Sequence, residues 1–237
     1  TEIAAAGPWP RGDDRALTAL ARSLDALPDD ALVVLDGLIA SAAASVLVPR
    51  AQRLRLVVLV HMVFGGTPVE RGAVPEADEA AVLSAARATV TSSAWTRRHL
   101  LERYPLPAER LHVAVPGTEP APVSARTPGG GRLLCVGTLS PLKGQDLLLQ
   151  ALGSLTGLPW RCTLAGPGDR HPRFVASLVR RAADAGIADR VRMLGTCSRA
   201  AVLQAYAAAD LLVVPSRAET YGLVVGEALA AGVPVLA

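Results

Sequence analysis

Residues 215–237 read PSRAETYGLVVGEALAAGVPVLA. The apolar run Leu211 to Val214 leads into this stretch and reads as a buried strand. Pro215 and Ser216 stop the strand, Glu219 lies in the loop, and Gly222 opens a helix that contains Glu227. Gly232 ends that helix, and Val233 to Leu236 reads as the next strand. A strand–loop–helix–strand unit of this kind belongs to a parallel sheet, and such sheets bind ligands beyond the carboxyl ends of their strands. A helix that starts there turns free N–H groups and a partial positive charge towards the ligand, which favours phosphate. A carboxylate suits sugar hydroxyls instead. For an arbitrary glutamate pair the plain reading is a solvated loop residue and a surface helix residue; the surrounding pattern decides for Glu219 and Glu227 as hydroxyl acceptors.

That pattern resembles the Glu-x7-Glu signature of the retaining glycosyltransferases of family 4, on Pro215, Ser216, Glu219, Gly222, Glu227, Ala228, Gly232, Val233 and Pro234. The resemblance implies an α/β protein of the GT-B type, with two Rossmann-like domains facing a cleft. It implies transfer of a sugar from a nucleotide-diphosphate sugar to an acceptor with retention of anomeric configuration, without a metal or other cofactor. Glu227 would then hold the ribose hydroxyls and Glu219 the donor sugar. Lys143 and the backbone at Gly222 and Leu223 would hold the diphosphate and meet its charge as it leaves.

Upstream, the chain alternates between apolar runs and helical spacings, which predicts parallel sheets. A helix is expected over Asp13 to Leu27, with Leu17, Leu20, Leu24 and Leu27 on one face. Strands are expected at Ala31 to Leu35, Leu54 to Val60, Ala88 to Thr91 and Leu111 to Val115, with helices near Ile39 to Val48, Glu76 to Ala86 and on to Arg103 behind the cap Ser92-Ser93. Residues 118–131 contain three prolines and Gly129-Gly130-Gly131 and read as a linker. This divides the chain into an acceptor-side domain over 1–117 and a nucleotide-sugar domain over 132–237. In the second domain, strands are expected at Arg132 to Val136, Trp160 to Leu164 and Val191 to Leu194, and helices at Lys143 to Leu155, Phe174 to Ala185 and Arg199 to Ala208. Set against the family, the first domain reads as incomplete at its start and the second at its end.

Other candidates cluster after strands. Lys143-Gly144 matches the family's Lys-Gly pair at the donor diphosphate. The family often has Arg just after the glycine of this loop; here it is Thr138, and Arg217 or Arg132 are the cations left to take that place. Gly166-Pro167-Gly168 resembles the family's glycine-rich turn beside the nucleotide. It lacks the third glycine of a dinucleotide fingerprint, which argues against a nicotinamide dehydrogenase. His61 ends a strand beside Gly65-Gly66, and in the family such a histidine commonly faces the reaction centre. Ser93 reads as a helix cap.

Composition bounds the alternatives. The 237 residues are 51% hydrophobic, 19% charged and 3% aromatic, with a formal net charge of +3. That rules out disorder and leaves a core of Ala, Val and Leu. Few aromatics and scattered arginines argue against nucleic-acid binding. The mild basicity suits a diphosphate pocket or weak peripheral contact with an anionic membrane. Cys135, Cys162 and Cys197 have no metal-ligand spacing and read as thiols in a cytoplasmic protein without a signal peptide. Two further classes remain open: a non-catalytic nucleotide-sugar binder or partner subunit, and a GT-B sugar-nucleotide epimerase.

Overall fold

The computed structural model describes residues 2–10, 12–63 and 76–237. It forms two compact units, Thr1–Pro116 and Gly117–Ala237. Both are α/β, with all paired strands parallel.

In the first unit, helix α1 (Asp14–Asp25) precedes β1 (Leu32–Asp36), α2 (Gly37–Ala40), α3 (Ala44–Arg50), β2 (Arg55–Val60), α4 (Glu76–Ala85), β3 (Ala88–Thr91), α5 (Ala94–Arg103) and β4 (Leu111–Val113). The strands lie in the order β1-β2-β3-β4. The β-branched run of β2 suits a strand in a parallel sheet, and Leu56, Val58 and Val60 are buried with Leu47, Val82 and Leu100. Two helix starts show their local cause plainly. The Asp13 carboxylate accepts from the Ala16 N–H at 2.8 Å, and the Ser93 hydroxyl accepts from the Thr96 N–H at 3.0 Å, so Ser93 is the expected cap. The single helix expected near Ile39 to Val48 is two helices. Its break puts the Ser41 hydroxyl 3.2 Å from Oε1 of Glu79, a fully buried carboxylate on α4 that also accepts from the Tyr104 hydroxyl at 2.6 Å. The expected glycine pair Gly65-Gly66 lies outside the described residues.

The second unit runs β5 (Arg132–Val136), α6 (Gln145–Gly153), β6 (Arg161–Ala165), α7 (Pro172–Asp184), β7 (Val191–Gly195), α8 (Arg199–Ala207), β8 (Leu211–Val213), α9 (Leu223–Ala230) and β9 (Val235–Leu236). Its strand order is β7-β6-β5-β8-β9. The chain builds outward from β5 to β7, then returns to the other side of β5 for β8 and β9. The order therefore reverses between β5 and β8, and a crevice opens at such a switch point. Successive side chains of a strand face opposite ways. Leu133 and Cys135 accordingly join one apolar cluster, with Leu149, Leu164 and Leu178, while Leu134 and Val136 join another, with Tyr206, Leu212 and Ala228. Cys135 and Cys162 are buried free thiols, and burial pushes both up to about 12.

Two expectations need correction here. The helix expected from Lys143 starts instead at Gln145, after a 3-10 turn over Pro141–Lys143 and the left-handed Gly144 (φ 66°). Residues 118–131 carry no helix or strand, as expected of a linker, but they are fastened along the second unit. The Ser124 N–H donates to the Ala231 carbonyl (2.8 Å) and its hydroxyl to the Ala209 carbonyl (2.6 Å). The Asp210 carboxylate accepts from the N–H (2.6 Å) and hydroxyl (2.6 Å) of Thr127 and from the Arg132 N–H (2.8 Å).

Asp210 thus ties the strap to the start of β5. Burial pushes its carboxyl up, but the hydrogen bonds of Thr127 and Arg132 prevail and hold it below the usual carboxylate value. Its contribution is complete above the unfolded value of about 4 and is lost as pH falls through the lower folded value. Asp210→Ala is predicted to destabilise the second unit by about 2 kcal/mol, because the N–H groups of Thr127 and Arg132 and the Thr127 hydroxyl lose their acceptor. Urea unfolding at pH 7 and pH 3 checks this: the variant's deficit should shrink at the lower pH.

Candidate functional site

The candidate site is built from the loops that leave β5, β6 and β8, all at the carboxyl end of the second sheet. The loops are locked together by backbone contact. A Cβ at Gly166 would lie 2.1 Å from the Gly137 carbonyl oxygen, at φ 152°, so only glycine lets the β6 loop lie against the β5 loop. A Cβ at Gly144 would lie 2.0 Å from the Pro215 carbonyl oxygen, which joins the β5 loop to the β8 loop. Gly168 packs against Val175 and Leu139. Gln145, fully buried, holds the β5 loop from within: its amide donates to the Thr138 carbonyl at 3.0 Å, and its side-chain oxygen accepts from the Ser140 N–H at 3.3 Å.

Across the β5–β8 switch point, Nζ of Lys143 donates to Oε1 of Glu219 at 2.5 Å, and the Ser216 hydroxyl donates to the same oxygen at 2.8 Å. Both charged side chains are a little over a quarter exposed. The pair expected to meet the diphosphate and the donor sugar is therefore joined directly. Beside it, α9 starts at Gly222, which is left-handed (φ 76°) and has no side-chain cap bond. The first N–H groups of a helix, Leu223 included, have no partner within it.

Glu227, on α9, accepts from Arg199 Nη1 at 2.7 Å on Oε1 and from the Tyr206 hydroxyl at 3.0 Å on Oε2. Burial first, then the charge and hydrogen bond of Glu227, push the Tyr206 phenol well above its usual value. Arg199 also donates to Glu119 at 3.1 Å. Thr118 lies against Gly226, where a Cβ would come within 2.6 Å of its hydroxyl oxygen.

The geometry gives Arg217 a different task from the expected one. Its guanidinium forks onto Asp146 (2.9 and 2.8 Å) and reaches the Pro141 carbonyl at 2.5 Å, and its N–H donates to the Leu142 carbonyl. The Arg217 guanidinium in turn holds the Asp146 carboxyl below the usual range. Arg217 is a bolt between the β5 and β8 loops, not a spare cation. Arg132 begins β5 at the end of the strand away from Gly137, so it does not replace the missing arginine at Thr138 either. His61, at the end of β2 in the first unit, is largely exposed, with Nε2 3.6 Å from Oδ2 of Asp36.

Sequence reasoning missed Gln145, Asp146, Arg199, Tyr206 and Asp210. Their partners lie far along the chain or across a turn whose shape is set by tertiary contacts. A groove of about 620 Å³ along β5 and α6, lined by Leu133, Leu148, Leu152, Trp160 and Leu211, is almost wholly apolar and brings no chemistry to the site. Among the described residues, no three His, Cys, Asp or Glu side chains gather as a metal ligand set, and no helix is long and apolar enough to cross a membrane.

Residues 122–237 match the family model of glycosyl transferases group 1. The chain is 34% identical to a D-inositol 3-phosphate glycosyltransferase of Kineococcus radiotolerans, over 76% of this chain and 48% of that protein. A D-inositol 3-phosphate glycosyltransferase of Mycolicibacterium smegmatis is 45% identical over 43% of this chain and 23% of its own length. The chain spans about half the length, or less, of these curated relatives. Among solved structures, sucrose-phosphate synthase from Thermosynechococcus elongatus matches with a TM-score of 0.75 at 22% identity, over 93% of this chain and 60% of that one. Anabaena HepE, solved in complex with UDP and glucose, matches with a TM-score of 0.73 at 20% identity, over 94% and 62%. These structural neighbours share the α/β fold of GT-B glycosyltransferases. The match to the glycosyl transferases group 1 model thus spans the segment that carries Lys143, Glu219 and Glu227.

Proposed function

We propose that the chain serves glycosyl transfer from a nucleotide-diphosphate sugar to an acceptor hydroxyl, with retention of anomeric configuration, in the manner of the family 4 glycosyltransferases. The observation that carries this reading is the meeting of Lys143 and Glu219 across the β5–β8 switch point, beside the start of α9. A cation, a carboxylate and free helix N–H groups are the three chemistries a sugar diphosphate needs.

In this reading the diphosphate lies on Lys143 and on the backbone at Gly222 and Leu223, the donor sugar hydroxyls on Glu219, and the ribose hydroxyls on Glu227. Gly166 and Gly168 form the wall beside the nucleotide, and Thr138 lies in the phosphate loop. The bond from the anomeric carbon to the diphosphate oxygen breaks, and its electron pair stays on the diphosphate. The acceptor oxygen bonds to the anomeric carbon from the same face, and its proton passes to the departing diphosphate oxygen. Lys143 and the α9 N–H groups stabilise the charge that develops there. The reaction calls for no metal or other cofactor, and a cytoplasmic setting supplies the nucleotide sugar. The relatives' activity as D-inositol 3-phosphate glycosyltransferases makes D-inositol 3-phosphate the first acceptor to try, and UDP, bound by a solved neighbour, the first donor nucleotide.

A second reading, a nucleotide-sugar binder without turnover, draws on Thr138 in place of arginine and on the engagement of Arg217 by Asp146. Consumption of a nucleotide sugar in the presence of an acceptor separates the two.

Calorimetric titration with UDP, GDP and ADP checks the assignments. Glu227→Ala is predicted to weaken the bound nucleotide by about tenfold or more, roughly 1.4 kcal/mol. Unchanged affinity for all of them would reject the ribose role. Lys143→Ala is predicted to weaken a nucleoside diphosphate far more than the matching nucleoside, and equal losses for both would reject the phosphate role.

A further inference from the structure

Two side chains outside the Glu-x7-Glu signature hold both oxygens of Glu227. Tyr206 is fully buried among Leu134, Leu212 and Ala228, and its hydroxyl lies 3.0 Å from Oε2 of Glu227. A buried phenol has little freedom, so it anchors that oxygen. Arg199 Nη1 lies 2.7 Å from Oε1, and Nη2 lies 3.1 Å from Glu119, so the guanidinium is itself held from two sides. Arg199 follows β7 as the first residue of α8, behind the cap Ser198, so it belongs to the same carboxyl-end face of the sheet as Glu227. Charge-assisted bonds of this length are strong and directional.

An ionised carboxylate offers about four lone-pair sites. Tyr206 and Arg199 take one on each oxygen, which leaves one on each oxygen for an incoming donor. The free pair matches the two neighbouring O–H groups of a ribose. A carboxylate with free rotation would accept from the same hydroxyls, but only after losing that freedom on binding. One already held is preorganised for them.

We propose that Arg199 and Tyr206 are positioning residues that aim Glu227 at the 2′- and 3′-hydroxyls of a ribose, so that the site selects ribonucleotides over 2′-deoxyribonucleotides through them. This rests on the nucleotide-sugar reading of Glu227 given above. A site built to accept from a hydroxyl rejects the analogue that lacks it, because the acceptor is then left unpaired.

The test is calorimetric titration of the full chain with UDP, GDP and ADP and with their 2′-deoxy counterparts, on the parent, Arg199→Ala, Arg199→Lys, Tyr206→Phe and Glu227→Ala. The parent is expected to prefer the ribonucleotide at least tenfold. Arg199→Ala and Tyr206→Phe should lose most of that preference while 2′-deoxynucleotide affinity stays within about twofold. Arg199→Lys, which keeps the charge and loses the fork, should fall between them and the parent, and covers any failure of the alanine variant to fold. A purely structural role for Arg199 would lower both affinities by the same factor, or neither, and would overturn the proposal. If Glu227→Ala abolishes the preference while Arg199→Ala and Tyr206→Phe keep it, the positioning role alone falls. If the parent shows no preference, or Glu227→Ala keeps it, the ribose reading of Glu227 falls and takes this inference with it.

Discussion

The ion pair between Lys143 and Glu219 is the constraint around which the second unit is arranged. Lys143 comes from the loop after β5 and Glu219 from the loop after β8, 76 residues later in the chain. They meet because β8 returns to pair with β5 and reverses the strand order there. Each loop is then held so that the two charges stay in register. Gly144 lets the Pro215 carbonyl approach, Arg217 forks onto Asp146, and Gly166 lies flat against Gly137. None of these three contacts touches the ion pair, yet each fixes where its two ends stand. Polar groups held in place by backbone contact and paired forks need little reorganisation when a charged ligand replaces one partner, which is the condition for electrostatic stabilisation of a leaving group.

The second carboxylate follows the same logic by other means. Glu227 lies within α9, so the helix sets its position along the site, while Tyr206 and Arg199 set its direction. Tyr206 also belongs to the apolar cluster that packs α8 and α9 on the sheet, which links the core of the unit to the acceptor it presents. Asp210 and Ser124 fasten the strap at the amino end of the sheet, while Glu119 at its start reaches Arg199. Only the start of the segment that reads as a spacer therefore borders the site. Its prolines and glycines limit regular structure, but its carbonyls, amides and hydroxyls find partners on the second unit.

Much of the architecture was readable from residue pattern, because a parallel strand is a short apolar run bounded by turns. Arg132 to Val136 and Ala88 to Thr91 are strands with the expected bounds, and the others differ by a few residues at their ends. The helix starts at Ser93 and Gly222 were equally plain, since a cap or a left-handed glycine acts within one turn. Local pattern failed where a distant contact decides. Gly144 looks like an ordinary early helix residue until the Pro215 carbonyl is set against it, and that contact moves the helix start to Gln145. At the break over 41–43, Ser41 meets the buried Glu79, 38 residues away in the chain. In sequence Arg217 shows as a cation for phosphate because charge is visible there and pairing is not; Asp146, its partner, lies 71 residues earlier. Arg199 and Tyr206 gave no signal, since an arginine and a tyrosine on a helix have no spacing that marks them as partners of a carboxylate on the next one.

The central claim is that the crevice between β5 and β8 is the seat of a nucleoside diphosphate. The most direct measurement is a crystal structure of the chain with whichever of UDP, GDP or ADP titrates tightest. Phosphate oxygens are expected within about 3.2 Å of Nζ of Lys143 and of the Leu223 N–H, with the ribose hydroxyls on Glu227. A nucleotide bound elsewhere on the chain, with Lys143 still closed on Glu219 and nothing at the start of α9, would contradict it.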